Sequence, residues 1–418
     1  MKLQYKKKKK HEKNYLCCIL TTVKGIILEI YYTIALSAWV YIIFLHGRKF
    51  PYSDNYFWSN KIIFEKKYYF NEKEREIKKQ VCVLLPARNE SKTITKTLRS
   101  IINQKSIFLE VIVINDQSND GPDNVARKTF EKYKFKNYKI IDGDNLPNGW
   151  SGKIWALNQG MNEAIKNNKN DYVLLIDADI VIDDDLIVSL TEIAMKEKIG
   201  MISLMAKLNC ESLWEKILIP PFIYFFQKLY PFNYVNDSKN KLAAAAGGCI
   251  FSEISIFKKD NLFEIIKNKI IDDCNLAKQI KKKKRIWLGL TDKVRSIRNY
   301  QNINSICSMI SRCAYAQLKN SIIYLIISIF SMITLYLSGF IGVMTFSSHN
   351  SFYVLIVSVF LILSSLLVFI PTIKFYKINW IFIFTLPFSS ILYMFMTIKS
   401  AFNFYFLKGN DWKGRKYK

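Results

Sequence analysis

Short apolar runs alternate with helix-like segments between residues 81 and 185. Four of these runs have the length of strands. The fourth is short, apolar and unalternating, which is typical of a strand buried on both faces of a parallel sheet, and the first is also predicted to be buried. Because strands and helices alternate at short spacing, this part of the chain predicts an α/β fold: a doubly wound, mostly parallel sheet with right-handed crossovers. The four runs are VCVLLP, LEVIVIND, YKIIDGD and DYVLLIDAD.

Helix and strand signals continue to about residue 285. Ser91 is expected to cap the first helix, TITKTLRSIINQ, and IWALNQGMNEAIKN predicts an amphipathic helix. Further strands are predicted in IGMISLMAKL and at the end of AAAAGGCIF, whose small residues allow a ligand or another backbone to come close. The segment IIDDCNLAKQIKKKKR predicts a helix with acids at its start and bases at its end, as the helix dipole favours.

Four apolar runs near the chain ends, residues 26–45, 322–343, 352–373 and 378–404, are long enough to cross a bilayer. No small-residue cleavage site follows the first run, so we interpret it as a retained anchor. Lys374 and Lys377 mark a cytoplasmic turn, which places the intervening domain in the cytoplasm. Four crossings would then put both basic tails outside. Either this charge rule is broken, or one run at each end does not cross.

An apolar, aromatic segment at residues 213–232 contains Pro220 and Pro221, which we expect to break a helix. It is a poor membrane span, and two interpretations stay open: a segment lying in the membrane interface, or a buried core helix. The predicted organisation is a basic tail (1–24), a transmembrane anchor (25–46), a surface linker (47–80), a globular domain (81–320), transmembrane helices (321–404) and a second basic tail (405–418).

Composition adds less than the pattern does. The formal net charge is +27, and lysines beside membrane spans favour anionic lipid headgroups as neighbours, although base bias in the gene alone could also enrich lysine and asparagine. The eight cysteines are scattered and predict reduced packing residues. None of the three histidines lies in the middle of the chain, which argues against a histidine-based metal site or triad. Nothing indicates a nucleic acid or a protein partner.

Asp177 and Asp179 directly follow a predicted buried strand. In open α/β sheets, ligands bind outside the carboxyl ends of the strands. Two carboxylates one residue apart at that edge can hold Mg²⁺ or Mn²⁺, and the cation can bind phosphates. An Asp-x-Asp taken alone is more often a solvated acidic turn, and three further aspartates follow at residues 183–185. The interpretation as a cation site therefore depends on the other polar residues predicted at this edge.

Four further features are predicted at the same edge. Asp116 follows the second strand and can accept hydrogen bonds from a base or ribose, or can cap a turn. Lys153 begins a helix after a glycine-rich turn, where an anion is favoured, or is a solvated charge. Asp272 and Asp273 stand near a helix start, placed to remove a proton or to serve the helix dipole. Arg312 can neutralise a leaving diphosphate or anchor the chain at the membrane edge.

These residue types together fit the transfer of a sugar from a nucleotide-sugar donor. The leaving nucleoside diphosphate needs metal or basic side chains to balance its charge. The attacking hydroxyl needs a carboxylate base within hydrogen-bonding reach. One base and one stabilised leaving group are sufficient for inversion at the sugar carbon.

Five motifs, VCVLLPARNE, VINDQSNDGP, GKIWALNQG, LLIDAD and IDDCNLA, resemble in this order the motifs of family 2 glycosyltransferases, which have the GT-A fold. The resemblance covers roughly residues 81–320. The longer signatures GWSGKIWALNQG, AAAAGGCIF, DDCNLAKQI, IWLGLT and SRCAYAQL are similar to those of membrane-bound hopene-associated glycosyltransferases. The Gln-x-x-Arg-Trp motif of processive synthases is absent, and only Arg312 aligns loosely with it.

The resemblance implies a role for each candidate residue. Asp272 stands where many relatives carry Glu, and Arg312 would belong to the donor site. The other implied roles are Asp116 at the nucleobase, Asp177 at the diphosphate or ribose side, Lys153 on the donor, Asp179 on Mg²⁺ or Mn²⁺, and Asp273 as the base.

We therefore expect an inverting, metal-dependent, membrane-anchored hexosyltransferase with a cytoplasmic catalytic domain. The expected donor is a UDP-sugar, and the expected acceptor is a lipid. Hopanoids and other isoprenoids or glycolipids are the candidate acceptors. The nearest alternative is a processive polysaccharide synthase whose last spans form a channel. An alternative of another class is a non-catalytic membrane protein that binds anionic lipid through its lysines, and the intact carboxylate set argues against it.

Overall fold

The computed structural model of the protein describes residues 2–46, 79–407 and 410–417. Within the described residues, an eight-stranded mixed sheet carries helices on both faces, and long apolar helices lie before and after it in the chain. This architecture confirms the predicted α/β fold with apolar N-terminal and C-terminal helices. All but the last two residues of the predicted linker 47–80 lie outside the described residues.

The elements are numbered in chain order. The strands are β1 Gln80–Ala87, β2 Phe108–Asn115, β3 Tyr138–Asp142, β4 Asn170–Ile176, β5 Ile180–Ile182, β6 Ile199–Lys207, β7 Cys249–Glu253, β8 Arg285–Ser296, β9 Asn410–Trp412 and β10 Arg415–Tyr417. The helices of the globular part are α2 Ile94–Ile102, α3 Pro122–Lys132, α4 Gly152–Lys166, α5 Leu186–Glu197, α6 Leu213–Leu229, α7 Phe232–Asn236, α8 Ser255–Lys259, α9 Leu262–Ile266, α10 Asp272–Lys281 and α11 Ile303–Gln317. The apolar helices are α1 Lys2–Phe44, α12 Ile322–Met332, α13 Ser338–Met344, α15 Phe352–Tyr376 and α16 Leu386–Phe406, with a π-helical turn Ile333–Leu337, the short α14 Phe346–His349 and a 3₁₀ turn Trp380–Thr385.

The sheet has the strand order β3-β2-β1-β4-β7-β6-β8-β5. Its first four strands run parallel, with Leu84 of β1 opposite Ile112 of β2 and Leu175 of β4. β7 runs antiparallel to both of its neighbours. Two strands were not predicted, because β5 has only three residues and β8 carries charged residues at both ends.

Hydrophobic cores cover both faces of the sheet, which explains the unalternating apolar runs. Within β1, Cys82 and Leu84 point into the core beneath α4 and α10, whereas Val83 and Leu85 point into the core beneath α2 and α5. Positions 81–85 of the strand are therefore all buried. Polar residues such as Asp116 and Asp177 begin where the strands end.

The predicted Ser91 cap is wrong. Helix α2 begins at Ile94, and its N-cap residue Thr93 makes no side-chain capping bond. The Thr93 hydroxyl instead donates to the Glu90 carboxylate (2.7 Å), and the Ser91 backbone N–H donates to Asp120 (2.9 Å). The polar turn after β1 is thus held by acidic side chains of its own and of the next loop.

The expected break at Pro220 and Pro221 is also wrong, because α6 continues through both prolines. Pro221 has no N–H to donate to the Ile217 carbonyl four residues earlier. The Ser389 hydroxyl of α16 donates to that carbonyl instead (2.8 Å), so a neighbouring helix replaces the missing bond. The Tyr393 hydroxyl donates to the next carbonyl, that of Leu218 (2.8 Å).

Among the described residues, four helices are apolar and long enough to cross a membrane. Three of them run from the globular domain to a far level, at the end of these helices that points away from the domain. At the domain end of α1, the His46 ring bonds the Lys228 carbonyl (2.9 Å). At the far level, Glu29 of α1 accepts from Ser351 (2.8 Å), the residue before α15. The segment 322–344 leaves α11 at the domain and reaches this far level, and α15 returns to the domain, where Lys207 bonds the Phe375 carbonyl (2.9 Å).

The fourth apolar helix has both ends at the domain. Just before it, Lys377 lies 3.9 Å from Asp292 of β8. Along its length it packs on α6 and α11, where the Ser400 hydroxyl accepts from the Tyr315 backbone N–H (3.0 Å). After it, the β9–β10 hairpin bonds the loops that follow β1 and β2. This placement fits only the C-terminal part of the second explanation, a last helix that does not cross, because α1 runs from the domain to the far level.

We expect epitope tags placed after Lys418 and in the turn at residues 237–241 to lie on one side of the membrane, because the chain returns to the domain after α16. A tag between His349 and Asn350 should lie on the opposite side. Protease digestion of sealed vesicles of one orientation measures this. If the first two tags are cleaved from opposite sides, α16 crosses the bilayer.

Candidate active site

The candidate site lies where the parallel strands β2, β1 and β4 end side by side. Asp116 follows β2, the loop 88–90 follows β1, and Asp177 and Asp179 follow β4. Neighbouring strands are about 4.8 Å apart, so these residues fall within a few strand widths of each other. A cleft of about 500 Å³ opens here, lined by Asn89, Glu90, Lys92, Thr93, Asp120, Ile297, Arg298 and Asn299.

Lys153 and Asp177 form an ion pair. Lys153 Nζ lies 2.5 Å from Asp177 Oδ1, and it also donates to the Gly247 carbonyl (3.3 Å). Burial lowers the pKa of Lys153, but the nearby carboxylates of Asp177 and Asp272 outweigh it and leave that pKa raised. The lysine therefore stays charged where it enters the site.

Asp273 shares a small space with Lys153. Its Oδ2 accepts from the Gly247 N–H (2.8 Å) and its Oδ1 from the Cys274 N–H (2.7 Å) at the start of α10. A Cβ atom added to Gly247 would lie 3.3 Å from Asp273 Oδ2 and 3.4 Å from Lys153 Nζ. A glycine at this position therefore leaves room between a carboxylate and an ammonium group.

Burial and the neighbouring Asp272 carboxylate raise the pKa of Asp273 to about 6, although the two backbone N–H groups oppose the shift. A carboxylate with a raised pKa is a better base than an ordinary aspartate and is still ionised at neutral pH.

Arg312 interacts electrostatically with the acidic pair. Burial lowers the pKa of Arg312, but the adjacent Cys313, followed by Asp272 and Tyr300, outweighs burial and leaves that pKa raised. Tyr300 interacts electrostatically with Arg298 and Asp179, and also with Arg312 and Asp177. It therefore lies close to both pairs of residues. Sequence patterning gave no signal for Tyr300, because it lies in the irregular segment between β8 and α11.

Asp179 is paired with a residue that sequence analysis missed. Arg298 Nε donates to Asp179 Oδ2 (2.7 Å), and its Nη2 bonds the Glu90 carboxylate. Glu90 also accepts from the Lys413 ammonium group. The position of Glu90 directly after a parallel strand could have marked it from sequence, whereas nothing local marks Arg298.

Asp116 is paired with the second basic tail. Arg415 Nη1 and Nη2 donate to its two carboxylate oxygens (2.6 and 2.9 Å), and the Asp116 side chain is only 5% exposed. Burial raises the pKa of Asp116, and Arg415 opposes the shift. The structure thus brings Lys153, Asp177, Asp272, Asp273 and Arg312 together, with Asp116 and Asp179 beside them under basic residues.

The oxygen ligands that the site offers fit a divalent cation only in part. Among the described residues, no cluster of three histidine, cysteine or acidic side chains could hold a metal ion. Mg²⁺, however, is commonly bound by one or two carboxylates together with substrate phosphates and water. Asp179 could supply such a carboxylate once Arg298 moves aside.

Comparison with known proteins gives matches in the globular part. Residues 82–259 match the profile of the family described as Glycosyl transferase family 2. The chain is 32% identical over 114 residues to a 4,4'-diaponeurosporenoate glycosyltransferase of Staphylococcus haemolyticus, covering 27% of this chain and 28% of the relative. It is 35% identical over 130 residues to a poly-beta-1,6-N-acetyl-D-glucosamine synthase of Staphylococcus epidermidis, covering 28% and 29%. The matched part thus spans less than a third of the length of either relative.

Similar solved structures include the mannosyltransferase PcManGT from Pyrobaculum calidifontis in complex with GDP-Man and Mn²⁺. It shares 13% identity at a TM-score of 0.46, and the match covers 89% of this chain and 97% of that one. Residues 1–349 of TarS from S. aureus in complex with UDP share 16% identity at a TM-score of 0.35, covering 64% and 72%.

The Lys153–Asp177 pair can be tested by a double-mutant cycle. Lys153→Met should lower the free energy of unfolding by about 1–2 kcal/mol, a partly exposed pair costing less to break than a fully buried one. Asp177→Asn in the same chain should recover part of that loss, because the unpaired charge is then gone. Denaturant unfolding in detergent measures the coupling. The exposed pair Lys139–Glu163 is the control and should show less coupling. Equal coupling in the two cycles would contradict this description.

Proposed function

We propose that the protein is an inverting glycosyltransferase that moves a sugar from a UDP-sugar to a lipid acceptor. The observation that carries the proposal is the space at Gly247, where the Asp273 carboxylate and the Lys153 ammonium group approach the same point. One group can accept a proton there while the other holds a negative charge. The glycosyltransferase family 2 domain supports this assignment.

The proposed reaction is a single displacement. Asp273 takes the proton of the acceptor hydroxyl while the oxygen of that hydroxyl forms a bond to the anomeric carbon. The bond from the anomeric carbon to the diphosphate breaks on the opposite face. Lys153 and Arg312 bind the leaving diphosphate, which gains negative charge in the transition state. Asp116 receives the nucleobase, Asp177 orients Lys153, and Asp272 raises the pKa of the base.

We assign Asp179 as the residue that would hold Mg²⁺ or Mn²⁺ on the donor. The cation, when bound, supplies charge neutralisation of the diphosphate. The support is chemical: Asp179 follows β4 at the ligand-binding edge, and oxygen ligands suit both ions.

A lipid acceptor is supported by the position of the base beside membrane-type helices. Tyr230, at the end of α6, interacts electrostatically with Asp273 and donates to Gln317 of α11 (2.6 Å). Apolar residues of α6, α11 and α16 form one cluster next to this point. An amphiphile held among these helices can present its hydroxyl to Asp273 while its apolar part stays in the membrane. A relative named for glycosyl transfer to 4,4'-diaponeurosporenoate fits this class, and hopanoids belong to it too.

A processive polysaccharide synthase is the second candidate, because the name of another relative is a polymer synthase. Product length separates the candidates. A single transfer yields one discrete glycolipid, whereas processive synthesis yields a ladder or a high-mass polymer on a gel.

Membranes that contain the protein, incubated with a panel of nucleotide sugars, should release free nucleoside diphosphate when lipid extract is added. We expect release with one UDP-sugar and cytoplasmic exposure of the site in oriented vesicles. A protein that only binds anionic lipid would release none at any donor concentration.

Asp273→Asn should reduce kcat by at least about 10²-fold, the typical contribution of a general base, with donor affinity little changed. The measurement is initial-rate kinetics together with donor binding. Asp292→Asn, an exposed aspartate on β8, is the matched control and should keep the parent rate. If the Asp273→Asn variant folds, binds the donor and retains full activity, Asp273 is not the general base.

The pH profile should report the same residue. Because Asp273 acts in its ionised form and its pKa is raised to about 6, log(kcat/KM) should rise with unit slope below pH 6 and level off above it. An inflection near pH 4 would instead indicate an ordinary, solvated carboxylate. The residual activity of Asp273→Asn should lack this limb.

A further inference from the structure

The C-terminal hairpin, residues 410–417, covers the place where a donor nucleoside is expected. We propose that this hairpin is an intramolecular ligand of the site: it occupies the carboxyl ends of β1 and β2 and must leave before a nucleoside diphosphate binds. The inference rests on the proposed function, since it concerns the donor side of the same site.

Arg415 makes the central contact. Its two terminal nitrogens bond both oxygens of Asp116, and Nη2 also donates to the Gln117 side chain (3.0 Å). The Arg415 and Asp116 side chains are 12% and 5% exposed, so little of either group is in contact with water. The guanidinium covers both oxygens of a carboxylate that is almost fully buried, so a nucleobase cannot reach this carboxylate while Arg415 is in place.

Lys413 and Arg88 join the hairpin to the loop after β1. Lys413 Nζ donates to the Arg88 carbonyl (2.6 Å) and bonds the Glu90 carboxylate, while Arg88 Nε donates back to the Lys413 carbonyl (3.1 Å). Arg88 also donates to the Asp116 carbonyl (2.7 Å). The hairpin is therefore bonded to both loops that border the nucleoside position.

Gly152 provides the space for this docking. A Cβ atom at Gly152 would lie 1.9 Å from Arg415 Nη1 and 3.0 Å from Asp116 Oδ2. Only a residue without a side chain lets the guanidinium reach the carboxylate from this direction.

The hairpin also connects with the second acidic position. Glu90 bonds both Lys413 and Arg298, and Arg298 pairs with Asp179. Basic residues from two distant segments thus neutralise Glu90, Asp116 and Asp179 together. A nucleotide-sugar donor brings a diphosphate into this region, and the diphosphate competes with these acids for the basic groups. The nucleobase of the donor competes with Arg415 for Asp116.

The test measures UDP binding in nanodiscs by the parent chain and by a variant of the same chain that lacks the Arg415 contact. Arg415→Ala should bind UDP about tenfold more tightly by calorimetry, the change that about 1.4 kcal/mol of lost competition produces. Arg285→Ala is the matched control, because Arg285 lies at the opposite end of the sheet, where it donates to the Glu197 carbonyl (2.9 Å). Its UDP affinity should stay at the parent value.

Hydrogen exchange of residues 410–417 gives a second readout that does not depend on sugar transfer. In the parent protein these amides should exchange faster when UDP is added, and in Arg415→Ala they should exchange fast without it. UDP binding with unchanged affinity in Arg415→Ala and unchanged exchange in the hairpin would overturn the proposal and leave the proposed function standing. Weaker UDP binding by Arg415→Ala would also overturn it, since Arg415 would then be a donor ligand.

Other outcomes separate the two proposals further. Hairpin release by UDP in a protein that transfers no sugar would support the hairpin proposal and refute the transferase. If neither the parent nor Arg415→Ala binds UDP, GDP, CDP, ADP or dTDP, the hairpin proposal and the donor assignment are both refuted.

Discussion

Carboxylates crowded at one edge of a sheet constrain the rest of this molecule. β1, β2 and β4 run parallel and end side by side, which places Glu90, Asp116 and Asp177 close together in partly buried surroundings. Buried negative charges are costly unless each has a counter-charge. Here the counter-charges come from other segments of the chain, so electrostatic neutrality at this edge fixes how distant loops are arranged.

The source of each counter-charge divides the site into two halves. On the side of Asp273, Lys153 approaches from α4 and lies within the fold itself. On the side of Asp116, Arg415 arrives from the end of the chain, after the last apolar helix. The Lys153 contact is made within the globular domain, whereas the Arg415 contact comes from a short hairpin that packs against the site. Under our proposals, the first half carries the chemistry and the second half regulates access of the donor.

The membrane-type helices serve the globular domain as well as a bilayer. Helix α6 continues through two prolines, and α16 supplies a hydroxyl to the Ile217 carbonyl that Pro221 leaves without a backbone donor. The same packing brings α16 back along the domain and delivers the hairpin to the site. The aromatic segment is thus a helix in contact with both the core and the apolar helices. This packing favours the buried core helix, and a position in the membrane interface stays a prediction.

The sequence by itself determined the strands β1 to β4, the burial of β1 and β4 and the acids that follow the strands, because unalternating apolar runs and abrupt polar ends are local signals. It also located the long apolar helices. Only the tertiary structure decided which basic residues meet those acids. Arg298, Lys413 and Arg415 lie more than a hundred residues from their partners in the chain and carry no local pattern, since any of the many exposed lysines and arginines could have filled the role. Chain ends and irregular loops are placed by packing and charge, and neither can be determined from periodicity.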